Sequence, residues 1–185
     1  MADHVCPPWL GYVLLSPLRR FIENPQTMLG PLIQKGMTIL EPGCAMGYFT
    51  LPMARMTGEN GRVIAVDIQD RMLAALEKRA NKAGLGDRII RHKAQTDSMD
   101  ISAHGGSVDL AVAIHVVHEL KDPRTFFSEV REALKPGGKF LIVEPKGHVS
   151  SEAFDQTRSL ASVLGFTEDS LPVKIRGRST LFSRK

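Results

Sequence analysis

The sequence predicts an α/β protein built on a doubly wound, mostly parallel sheet with helices on both faces, and three observations carry that expectation. Short β-branched runs alternate with longer helical patterns, the signature of parallel strands joined by crossover helices. Several runs, Val63-Ile64-Ala65-Val66 and Leu110-Ala111-Val112-Ala113-Ile114 among them, are apolar without alternation, as strands covered on both faces must be. The length of 185 residues, with 43% hydrophobic and 24% charged, suits one compact domain with a buried core.

Taken in order, residues 1–35 contain Pro7, Pro8, Pro17, Pro25 and Pro31, so they are expected to wrap the domain as broken helix and loop, or to act as a lid. Residues 36–185 form the domain proper. Strands are expected at 37–40, 62–66, 88–92, 108–116 and 139–143, each bounded by Gly, Pro or Asp. Between them, residues 70–83 place Met72, Leu73, Leu76 and Ala80 on one helical face, with Gly84 at the stop position. Asp122-Pro123 opens a helix as N-cap and N1 proline, and Lys135-Pro136-Gly137-Gly138 closes it. A last helix over 151–164 leads to two extended segments, 173–175 and 180–183, short enough for an antiparallel hairpin at a sheet edge.

Charge and cysteine content narrow the function classes. The 24 basic and 20 acidic residues leave a net charge of +4, and most of the excess falls at 146–185 as Lys174, Arg176, Arg178, Arg184 and Lys185. A solvated edge strand explains that stretch better than a nucleic-acid groove. Cys6 and Cys44 are too few for a disulfide framework and lack a second ligand pair for a metal. The stretch 9–15 is too short to cross a bilayer, and the residues flanking it do not follow the order of a secretory leader, so a cytoplasmic protein is expected.

The most informative stretch is Glu41-Pro42-Gly43-Cys44-Ala45-Met46-Gly47, a strand end running into a small-residue turn. In an open α/β sheet the ligand crevice lies at the carboxyl ends of the strands, where small residues and a helix N-terminus let a ligand approach the backbone. Asp67 ends the next strand 20 residues after Gly47, a distance that suits an acceptor for ribose hydroxyls. A dinucleotide fingerprint would need glycine at 45 and 48, where the chain has Ala45 and Tyr48. The plainer alternative is a tight turn with no ligand and an Asp67 that caps the following helix.

The set Glu41, Gly43, Ala45 and Gly47, followed by Val66-Asp67, Met72-Leu73, Val108-Asp109-Leu110 and Leu134-Lys135-Pro136-Gly137-Gly138, resembles the class I S-adenosylmethionine-dependent methyltransferases. Within them it is most similar to the small-molecule branch related to quinone biosynthesis, over residues 36–145. The resemblance implies a Rossmann-like, three-layered fold with a seven-stranded sheet and an antiparallel C-terminal strand. It implies S-adenosylmethionine as cofactor, with S-adenosylhomocysteine as product. Glu41 would orient the methionine amino end indirectly, and the backbone of Gly43, Cys44, Ala45 and Gly47 would approach the cofactor. Asp67 would hold the ribose, Ile68 would pack on the adenine, Gln95 or Thr96 would meet the adenine amino group, and the backbone of His115 would line the site. Ala45 stands where the family usually has glycine.

On the acceptor side, His118 and Glu119 are candidate bases, because a histidine titrating near neutrality can take a proton from a hydroxyl or thiol. The alternatives are an imidazole bonded to backbone and a Glu119 paired with Lys121. Glu144 faces the same rim, with orienting a substrate and holding the loop as its open alternatives, and Cys44 reads as a small filler. The expected partner is a small-molecule acceptor. There is no strong nucleic-acid signal, since no Asn-Pro-Pro-Tyr-like segment follows the fourth strand. The N-terminal segment, with His4, Cys6, Trp9, Tyr12, Arg19, Arg20 and Phe21, leaves room for weak membrane-surface contact. Competing readings are a non-catalytic interaction module on the same fold and an RNA or protein methyltransferase.

Overall fold

The computed structural model describes Arg19 and residues 21–185. The expectations resting on His4 to Tyr12 and Arg20 lie outside the described residues. The elements run α1 (Pro25–Leu29), β1 (Thr38–Pro42), α2 (Thr50–Met56), β2 (Arg62–Asp67), α3 (Asp70–Lys82), β3 (Ile89–Lys93), β4 (Val108–Ile114), α4 (Pro123–Ala133), β5 (Leu134–Glu144), α5 (Ser151–Val163), β6 (Phe166–Asp169) and β7 (Arg178–Arg184). The sheet order is β3-β2-β1-β4-β5-β7-β6. Strands β1 to β5 pair in parallel, and β7 runs antiparallel to both β5 and β6.

The alternate residues of each central strand feed two cores. Ile39, Val63, Ala65, Leu110 and Val112 pack under α1 to α3 with Leu29, Met53 and Leu76. Leu40, Ile64, Val66, Ala111 and Ala113 face α4 and α5 with Phe127, Val130, Phe154 and Ala161. Two covered faces make three layers, and they explain why the strands lack a polar alternation. In α3 the face named by its periodicity, Met72, Leu73, Leu76 and Ala80, is the buried one. The α4 cap is also as expected: Asp122 accepts the Arg124 N–H at 2.9 Å, and Pro123 starts the helix.

Two expectations are corrected. Residues 135–138 do not separate α4 from its strand, because β5 begins at Leu134, opposite Val108, and bulges before pairing resumes at Leu110 and Lys139. Gly137, at φ +76°, gives the bulge its left-handed residue. Asp109 secures the bulge, taking the Lys135 ammonium at 2.5 Å and the Thr38 N–H at 2.8 Å. The partner of the last strand is Phe166–Asp169, not 173–175. It is a polar edge strand held by charge, with Lys139 on Asp169 and Arg158 on Glu168, whereas Ile175 is buried and Val173 packs on the core from a loop. Local β-propensity pointed to the apolar segment, and edge pairing selected the charged one.

The basic C-terminal stretch is partly structural. Arg178 donates from Nε to the Val149 carbonyl at 2.7 Å, and Arg184 donates to the carbonyls of Glu132 and Leu134.

Candidate active site

The sheet reverses its order at β1, whose neighbours are β2 and β4. Crevices form at such points outside the carboxyl ends of the strands. Four segments meet there: the turn 43–47 after β1, Asp67 at the end of β2, the turn 115–119 after β4, and Glu144 at the end of β5.

The first turn holds three left-handed residues, Gly43 at φ +68°, Ala45 at +46° and Gly47 at +81°. Packing demands both glycines: a Cβ on Gly43 would stand 2.5 Å from Val116 Cγ2, and one on Gly47 would stand 2.4 Å from Leu76 Cδ1. The Cys44 N–H donates to the Val66 carbonyl at 3.0 Å, fastening the turn to β2. α2 begins at Thr50 and spans 7 residues, so the turn itself, rather than a long helix N-terminus, borders the crevice.

Two carboxylates lie against this turn. Glu41 is buried and accepts the Thr50 hydroxyl at 2.5 Å. Burial pushes its carboxyl up to about 8, the Thr50 bond opposing and the charge of Asp67 adding to the rise. Asp67, also buried, accepts the Ala45 N–H at 2.9 Å and the Gln69 N–H at 2.8 Å. Its carboxyl is raised by burial against the pull of those amides and Lys93. Ile68 beside it is 39% exposed, an uncovered apolar surface at the mouth of the crevice. Burial also pushes the Cys44 thiol well up, with Glu41 and Asp67 adding to it, which leaves no reactive thiolate there.

Gln95 and Thr96 are exposed on the loop after β3, which the Ala94 N–H ties to the Asp67 carbonyl at 3.1 Å. The loop is clamped from α4 by Glu129, which accepts the Ser98 hydroxyl at 2.5 Å, the Met99 N–H at 2.9 Å and the Asp100 N–H at 3.1 Å. No local pattern announced Glu129, because its partners lie some thirty residues away.

The other wall is built around two histidines. His115 sits at φ +59°, which ends β4 two residues before the expected position. Its N–H donates to the Val143 carbonyl at 2.8 Å, and its Nε2 lies 3.0 Å from Glu23 Oε1. Glu23 also takes Arg19 Nε at 2.7 Å, and its carbonyl accepts the Tyr48 hydroxyl at 2.8 Å. The Arg19 guanidinium lies over the Tyr48 ring at 4.4 Å. Burial alone would raise Glu23, but the hydrogen bond and charge of His115, then Arg19, outweigh it and hold the carboxyl at about 2. Arg19 and Glu23 thereby join the turn after β1 to the end of β4, and Glu23 had no signal in the sequence.

His118 Nδ1 is hydrogen-bonded to Oε2 of Glu144, whose Oε1 accepts the Val117 N–H at 2.8 Å. The His118 side chain is 21% exposed and Glu144 is buried. His148 meets His118 edge-on, ring centres 5.9 Å apart. Glu119 stands at the exposed end of the turn; what burial it has raises its carboxyl, with His118 opposing and Glu144, then Asp67, adding. Among the described residues, no three His, Cys, Asp or Glu side chains group to hold a metal, and no helix is long and apolar enough to cross a membrane.

A family model described as a methyltransferase domain matches residues 40–142, the span that contains the first turn, Asp67 and the 115–119 turn. The chain belongs to the methyltransferase-domain family. The ubiquinone biosynthesis O-methyltransferase of Cereibacter sphaeroides is 32% identical over 119 residues, 64% of this chain and 45% of that protein. The S-adenosyl-L-methionine-dependent Diels-Alderase iccD of Talaromyces variabilis is 30% identical over 149 residues, 78% of this chain and 48% of that protein. The chain thus spans about half the length of these curated relatives. A SAM-dependent methyltransferase from Aquifex aeolicus shares the fold, with a TM-score of 0.83 at 23% identity over 97% of this chain and 98% of that one. The cofactor that accompanies this methyltransferase family is S-adenosylmethionine. The donor set fits it: two buried carboxylates crowd one turn, and Glu41 is pushed up to about 8 where a cationic ligand would relieve the crowding.

Proposed function

We propose that this protein transfers a methyl group from S-adenosylmethionine to a small-molecule acceptor. The paired carboxylates Glu41 and Asp67 at the turn 43–47 carry the reading. Asp67, aimed by the Ala45 and Gln69 amides, holds the ribose hydroxyls, and Glu41 faces the amino end of the methionine. The backbone of Gly43, Cys44, Ala45, Gly47 and His115 lines the cofactor, Ile68 covers the adenine, and Gln95 or Thr96 meets its amino group. When bound, the cofactor supplies a methyl carbon already activated on a sulfonium, so the chain's main contribution is to position the two reactants and exclude water.

On the acceptor side His118 is the base and Glu119 contacts the acceptor. The O-methyltransferase name of the Cereibacter relative supports oxygen as the receiving atom. A cytoplasmic location agrees with the absence of a spanning helix among the described residues. Surface contact with a membrane rests on Phe21 and Ile22, 88% and 56% exposed, and co-sedimentation with anionic vesicles tests it.

Calorimetric titration with S-adenosylmethionine and S-adenosylhomocysteine tests the main reading. The wild type binds both and Asp67→Ala binds neither strongly; no binding by the wild type, or equal binding by the variant, overturns it.

A further inference from the structure

Resting on the methyltransferase reading, we infer that His118 and Glu144 form a proton-abstracting pair for a neutral hydroxyl acceptor, with Glu144 as the positioning residue. The pair is built from both ends. Glu144 is 1% exposed, and burying a carboxylate that deeply is costly unless its oxygens are matched. Both are matched by one short segment: Oε1 by the Val117 amide, Oε2 by the His118 ring. The Val117 side chain is itself buried, so the amide that aims the carboxylate is anchored in the core. His115, at φ +59°, ends β4 and donates its N–H to the carbonyl of Val143, the residue before Glu144, and residues 117 and 118 then reach the same carboxylate.

The arrangement settles which imidazole nitrogen is available. A carboxylate accepts, so Nδ1 carries the proton and Nε2 keeps its lone pair. As the acceptor oxygen bonds to the methyl carbon, the carbon–sulfur pair returns to sulfur and the hydroxyl proton passes to His118 Nε2. The imidazolium so formed is bonded to Glu144 on β5, meets His148 of the turn after β5 edge-on, and feels the charge of Glu119 on its own turn.

The free lone pair selects the acceptor. A base with Nε2 unprotonated serves an acceptor that arrives carrying its own proton, so a neutral hydroxyl fits. A hydroxyl of phenolic acidity, with a pKa near ~10, is neutral on arrival and gains from a base.

The test uses the full chain, labelled S-adenosylmethionine and substituted phenols spanning acidities from that of tyrosine to below neutrality. His118→Ala is expected to lose ~100-fold or more in kcat on the weakest acids and less as the phenol becomes more acidic. Glu144→Gln is expected to lose ~10- to 100-fold in kcat with KM within about threefold, because the ring stays but its tautomer is no longer fixed. Nitrogen-15 shifts of the His118 ring give a readout independent of turnover: a proton on Nδ1 in the wild type, and mixed tautomers in Glu144→Gln. If that variant does not fold, His118→Ala and the wild-type tautomer decide. Loss independent of acceptor acidity, full turnover by His118→Ala, a proton on Nε2 in the wild type, or cofactor binding with no phenol methylated each overturns the inference. Failure of the wild type to bind S-adenosylmethionine is the separate failure of the parent reading.

Discussion

The two walls of the crevice are made differently. At the ends of β1 and β2 the working groups are two carboxylates and the backbone between them, and their partners sit on adjacent parallel strands: Glu41 pairs in register with Ala65, and Pro42 with Val66. At the ends of β4 and β5 the working groups are side chains recruited from afar, Glu23 by His115 and Glu144 by His118. The first wall is a strained, charge-crowded receptacle. The second is a set of histidine–carboxylate contacts already matched within the chain. In general terms, a site for a common cofactor can be written in a short stretch of sequence, while a site for a particular acceptor depends on tertiary contacts.

Four substitutions break or sharpen that contrast. The largest effect is expected on the first wall from Asp67→Ala, which removes a carboxylate aimed by two amides; cofactor affinity should fall ~100-fold or more, read by calorimetry. Glu41→Gln should do the reverse to stability. Its folded-state value of about 8 exceeds the ordinary 4.5, so the wild-type fold holds an extra proton between those values and loses stability as pH rises through that window. The variant should lack this loss and be ~2–3 kcal/mol more stable than wild type at pH 9, with little difference at pH 4, in denaturant titrations. That outcome would show the first wall to be costly until its ligand arrives.

On the second wall the sign is opposite. Glu23 is held at about 2, below its ordinary 4.5, so its pairing contributes stability above that ordinary value and loses it as pH falls toward 2. Glu23→Gln should therefore be ~1–2 kcal/mol less stable at pH 7, and the gap should close by pH 2, as followed by the denaturant midpoint. The smallest effect is expected from Ala45→Gly. It relieves a left-handed alanine at φ +46° but adds freedom to the unfolded chain, for a net gain of ~0.5 kcal/mol, seen as a rise of a few degrees at most in melting temperature.

How far the sequence could be read follows the same division. The succession of β1 to β5, the buried face of α3, the Asp122 cap and the Gly47-to-Asp67 spacing were legible because each depends on residues close in the chain. The edge strand at 166–169 was not, because Thr167, Glu168 and Asp169 are strand residues only by virtue of β7 beside them. The start of β5 at Leu134 was hidden by Pro136 and two glycines, which locally spell a loop and structurally make a bulge. His118 stood out as a candidate base, but the carboxylate that orients it lies 26 residues on, and Glu23 and Glu129 are surface-type residues whose roles appear only when distant segments meet.

The placement of β7 bears on how the protein is made. It lies between β5 and β6, and both of those precede it in the chain. During synthesis, β5 leaves the ribosome with one edge unpaired, and β6 follows with no neighbour at all until residues 178–184 emerge. Phe182, fully buried in the finished sheet, is made only after β5 and β6. The nascent chain therefore carries an open β edge for the time it takes to add about forty residues, an interval in which strand-to-strand aggregation competes with folding. Factors that slow translation through this stretch, or hold the nascent chain there, should affect the yield of folded protein more than the same delay imposed within β1 to β3.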